Sequence, residues 1–114
     1  MPDILGNSST TSTITVGGSV SDVLEVNGDH DWFRIELVAG QKITIFLDGI
    51  TLEDSLVSIR DSAGNLLAEN DDISSGVLRD SKLVFTATTT GTYYIDVGAF
   101  NNAYAGTYQL NVDV

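Results

Sequence analysis

The chain contains no cysteine, one histidine and one proline. Without cysteine there is no disulfide to staple the fold, no thiolate metal site and no thiol nucleophile. The single histidine, His30, leaves a zinc site short of ligands, and it is the only available base for a Ser–His–Asp group. No serine lies in a G-x-S-x-G context, so nucleophilic catalysis has no machinery here. The one proline is Pro2, so no later strand is interrupted by a residue that lacks an N–H. Basic residues are also scarce. Five Lys and Arg face 16 Asp and Glu, a net charge of −11. Nucleic acids and anionic membranes are bound through clustered cations, so both are excluded as partners. No apolar run approaches membrane-spanning length. The first residues, Met1-Pro2-Asp3-Ile4-Leu5-Gly6-Asn7, have neither the basic region nor the apolar stretch of a cleaved secretory signal.

What remains is a chain of 114 residues with 42% hydrophobic content, enough for one packed domain. Residues 1–12 are small and polar and read as a leader or linker. From residue 13 to 114, turn signals recur every eight to twelve residues or so: Gly17-Gly18, Asn27-Gly28, Ala39-Gly40, Asp48-Gly49, Ala63-Gly64-Asn65, Ser75-Gly76, Gly91 and Ala105-Gly106. Short alternating runs lie between them. Phe33, Ile35 and Leu37 share one face, as do Ile43, Ile45 and Leu47, Val57 and Ile59, Leu83 and Phe85, Tyr93, Ile95 and Val97, and Tyr108, Leu110 and Val112. A period of two with one apolar face predicts two antiparallel sheets packed face to face. No segment carries a helical stripe.

Two acidic clusters stand at the ends of these runs. Asp29 and Asp31 precede the strand that starts Trp32-Phe33, and Asp71 and Asp72 follow Leu66–Asn70. Asp54 opens a third strand. Strand ends converge at a sheet rim, and carboxylates gathered there repel unless a cation lies between them. A hard cation with oxygen ligands, calcium above all, fits such a set, because calcium takes six to eight oxygens. The plainer account is turn chemistry, since Asp and Asn satisfy local backbone groups in turns. Nothing matches the loop of an EF-hand. His30 reads as an exposed loop residue between Asp29 and Asp31. Paired carboxylates also occur in glycosidases, but this chain is short and has a single Trp to line a cleft. Trp32, Tyr94, Phe100 and Tyr104 fall out of phase with the core or in a loop. They are candidates for contact with a sugar or a matrix protein, or for packing beneath loops.

The order of motifs resembles a known family. Gly28-Asp29-His30-Asp31-Trp32-Phe33 is followed by Ala39-Gly40-Gln41, then Asp54 with Ser58, then Asp61–Ala68 with Asn70-Asp71-Asp72, then Thr90–Val97, then Ala105–Leu110. This order is similar to the bacterial pre-peptidase C-terminal domain. The resemblance implies a jelly-roll-like antiparallel β-sandwich of about eight strands, often calcium-bound and not an enzyme. It implies an accessory module joined to other domains of an exported peptidase, hydrolase or adhesin. The Asp3–Asn7 leader is similar to copies inside large calcium-repeat proteins exported without a cleaved signal. The sequence thus predicts an extracellular, calcium-binding accessory module. The alternative is a module that binds carbohydrate or matrix protein through surface aromatics.

Overall fold

The structure is a computed structural model in which residues 12–24, 30–49, 55–70, 81–99 and 106–113 are described. These residues form eight strands and no helix: β1 (Ser19–Leu24), β2 (Asp31–Leu37), β3 (Lys42–Gly49), β4 (Ser55–Arg60), β5 (Leu66–Asn70), β6 (Ser81–Thr86), β7 (Gly91–Ala99) and β8 (Gly106–Asp113). They build two four-stranded antiparallel sheets, β1-β8-β3-β6 and β2-β7-β4-β5. First pairs with last, second with seventh, third with sixth and fourth with fifth. This nested pairing is a jelly roll, as the family resemblance implies.

The alternation read from the sequence is what holds the sheets together. Every second residue of β2 points inward, and Phe33, Ile35 and Leu37 are fully buried. They meet Ile43, Ile45 and Leu47 of β3, Val57 and Ile59 of β4, Ile95 and Val97 of β7, and Leu110 and Val112 of β8 in one continuous core. β-Branched and aromatic side chains suit this half-buried pleated surface. Phe85 packs against the cluster without being fully enclosed, with its ring edge-on to Tyr93 at 5.6 Å between centroids. Ile14 adds a core residue that the periodicity does not reveal.

Ser12 to Ile14 lie along the outer edge of β2. The Arg34 N–H donates to the Ser12 carbonyl and the Ile14 N–H to the Arg34 carbonyl, forming a parallel bridge between Thr13 and Arg34. The last residue of the polar leader is therefore already attached to the sandwich. Pairing of this kind protects part of an edge strand. Tyr93 closes the β6–β7 connection by donating its hydroxyl to the Thr89 carbonyl at 2.7 Å.

Candidate functional site

The register brings one end of the β2-β7-β4-β5 sheet into focus. Asp31, Val97, Val57 and Asn70 stand opposite one another in a single row across all four strands. β2 begins in that row and β5 ends in it, while β4 begins and β7 ends just beyond it. In the chain, Asp29 lies two residues before Asp31, Asp54 directly before Ser55, and Asp71 and Asp72 directly after Asn70. The strand ends that carry all five acids thus belong to one end of one sheet. Within the row, Asp31 and Asn70 are three strand spacings apart, roughly 14 Å. Asp29, Asp54, Asp71 and Asp72 themselves lie outside the described residues, as do Phe100 and Tyr104.

Asp31 is the one metal candidate that the structure describes. It is an inward-facing residue of β2 and is wholly buried, 0% exposed. Its Oδ2 accepts a hydrogen bond of 2.5 Å from the hydroxyl of Tyr108 on the opposite sheet. The alternation that buries Phe33 and Ile35 buries Asp31 as well, because all three share one phase. In chemistry it fits a calcium ligand, since calcium takes carboxylate oxygens. Among the described residues, no three His, Cys, Asp or Glu side chains gather into a metal-binding group.

His30 departs from the expectation of an exposed loop residue. Its Nδ1 lies 2.7 Å from Oδ1 of Asp96, and its side chain is only 29% exposed. This partner comes from β7, one strand away. Gly98 makes room for the ring, since a Cβ there would fall 2.6 Å from His30 Cε1.

Trp32 and Tyr94 do share the outward face of this sheet, as their phase implies. They are covered nonetheless, at 9% and 7% exposure. Their rings lie 5.6 Å apart at 41°, and the Arg60 guanidinium sits 5.0 Å above the indole. Such a stack is packing, not an open platform on which a sugar ring could lie. Asp96, Arg60 and Tyr108 are residues to which the sequence reading gave no part in the site, although it placed Tyr108 on the core face. The available signal for Asp96 was a lone carboxylate within the apolar run Tyr93–Val97. No pattern in the sequence joins it to Arg60 or His30.

A model of the bacterial pre-peptidase C-terminal domain matches residues 29–99. The chain belongs to that family. Domains of this family accompany peptidases as non-catalytic accessory units. Among solved structures, the pre-peptidase C-terminal domain of a Bacillus anthracis collagenase is similar, at 20% identity and a TM-score of 0.69, covering 89% of this chain and 92% of that one. A periplasmic inhibitor of g-type lysozyme from Salmonella Typhimurium shares 18% identity with a TM-score of 0.62, covering 90% of this chain and 97% of the inhibitor. CorA, a surface-associated copper-binding protein of Methylomicrobium album, shares 11% identity with a TM-score of 0.62, covering 90% of this chain and 98% of CorA. At these identities the likeness is one of fold. No curated protein matches the sequence. Among the described residues, no helix is long and apolar enough to cross a membrane.

Proposed function

We propose that this pre-peptidase C-terminal domain is a calcium-stabilised accessory module of an extracellular bacterial protein, without catalytic activity of its own. The carrying observation is the wholly buried Asp31 in a row whose strand ends lead directly into the other four acids. An all-oxygen, anionic set of this kind suits calcium better than softer metals. The role in mind is stabilisation. Calcium is scarce inside cells and plentiful outside, so a module that binds it in the native state alone gains stability by mass action after export. So stabilised, the module serves its parent protein as an accessory unit, aiding stability, export or targeting.

The test is thermal melting of the domain in millimolar calcium and again with chelator. A melting temperature that rises with calcium supports the reading. An unchanged temperature leaves Asp31 as the buried partner of Tyr108 and removes the metal from the function.

A further inference from the structure

The outward face of the β2-β7-β4-β5 sheet carries a connected set of polar contacts that neither the core nor the calcium reading uses. Asp96 and Ser58 point away from the sandwich interior, yet they are 2% and 3% exposed. A carboxylate is tolerated at such burial only where donors hold it. Asp96 has two, from two different elements. Oδ1 faces His30 Nδ1 at 2.7 Å, and Oδ2 accepts from Arg60 Nε at 3.1 Å. Arg60 continues the chain of contacts by donating Nη1 to the Gly64 carbonyl at 3.1 Å. The turn that carries Gly64 closes over Trp32, where a Cβ on Gly64 would lie 3.5 Å from Cη2. Gly64 has φ +88°, so an L side chain there would also be strained.

These contacts run without a break from the chain as it enters β2, across β7 and β4, to the turn between β4 and β5. We infer that His30, Asp96 and Arg60 are positioning residues that form a latch: they order the entry to β2 and the Asp61–Asn65 turn together. The latch also fixes the residue that leads into Asp31, and so pre-sets that one ligand of the proposed calcium site; this second consequence rests on the calcium reading, and the latch itself does not.

The test compares Gly98→Ala, which fills the seat of the His30 ring, and Arg60→Met, which removes the link to the turn. Arg34→Met is the control, because Arg34 pairs with Glu36 on the same sheet but in the open. Amide hydrogen exchange is read at Asp31, Gly64 and Asn65, with Ile45 of the other sheet as reference for global unfolding. The latch predicts that Gly98→Ala speeds exchange at Gly64 and Asn65, and Arg60→Met at Asp31, by roughly tenfold while Ile45 stays protected. The control leaves all three sites unchanged. Should Gly98→Ala fail to fold, His30→Ala takes its place. Acceleration confined to each substitution's own neighbours, or shared equally by Ile45, overturns the latch. Calcium titration of the same proteins reads the second consequence. About fivefold weaker binding in Arg60→Met, with Arg34→Met like the parent, supports it. Equal affinities overturn it. A parent protein that binds no calcium removes the calcium reading and with it the second consequence, while exchange still decides the latch.

Discussion

The hydroxyl of Tyr108 on β8 reaches through the sandwich to donate a 2.5 Å hydrogen bond to Oδ2 of Asp31 on β2. The two residues are 77 positions apart in the chain and belong to different sheets. A hydrogen bond to a carboxylate is worth about 1.5–3 kcal/mol, and a buried acceptor deprived of its donor carries a desolvation penalty. Tyr108→Phe keeps the ring and removes only the donor. Urea unfolding should show it less stable by about 2 kcal/mol. A loss under about 0.5 kcal/mol would mean that the hydroxyl contributes little to holding Asp31.

Calcium at 100 times its Kd should raise stability by about 2.7 kcal/mol over the chelated protein. Asp71→Ala should lose most of that gain while leaving the metal-free melting point almost unchanged. Calorimetry with and without calcium separates the two effects. Equal calcium gains in the variant and the parent would exclude Asp71 from the site.

Phe33 lies at the centre of the core and is 1% exposed. Phe33→Ala removes a ring from a site lined on both sides, so the cavity cannot collapse well. The expected cost is about 3–5 kcal/mol in denaturant unfolding. A cost near 1 kcal/mol would show that the two sheets close over the gap.

Asp61 gives a dependence on pH. Its carboxylate is held below the ordinary value of 3.8, first by the backbone N–H of Asn65 and further by the Asn65 side chain and the Ala63 and Gly64 backbone. Because the folded state lowers the pKa, the contribution to stability is present above the ordinary value. It fades as the pH falls through 3.8 towards the lower folded value. Asp61→Ala should therefore be less stable than the parent at pH 7, and the gap should narrow as the solution is acidified below about pH 4. A gap of constant size across that range would assign the effect to turn geometry and not to the charge.

Much of the fold was legible because its signals are local. The alternation of Phe33, Ile35 and Leu37, of Ile43, Ile45 and Leu47, and of Tyr108, Leu110 and Val112 marks both the strands and their buried face, since a strand turns its side chains over every residue. The glycine-containing turns divide the chain into short strands, and the ordered motifs gave the jelly roll through a family resemblance. The site was harder to read. Asp31 was singled out for its charge, but its burial follows from the same alternation that buries Phe33. The contact of His30 with Asp96 could not be read from the sequence, because no local pattern joins residues so far apart in the chain.

Composition and periodicity by themselves determined an acidic, cysteine-free, two-sheet β domain with its core face in the right phase. Only the tertiary structure decided which side chains meet across the strands. His30 and Asp96 are 66 residues apart, and Arg60 and Asp96 are 36 apart. They touch because antiparallel register sets Asp96 beside Trp32 on one side and Ser58 on the other, within reach of their neighbours. The same packing covered Trp32 and Tyr94, which phase alone places on an outward face. Phase is a property of each strand, whereas contact depends on the order and register of strands, and those are set by burying the whole core at once.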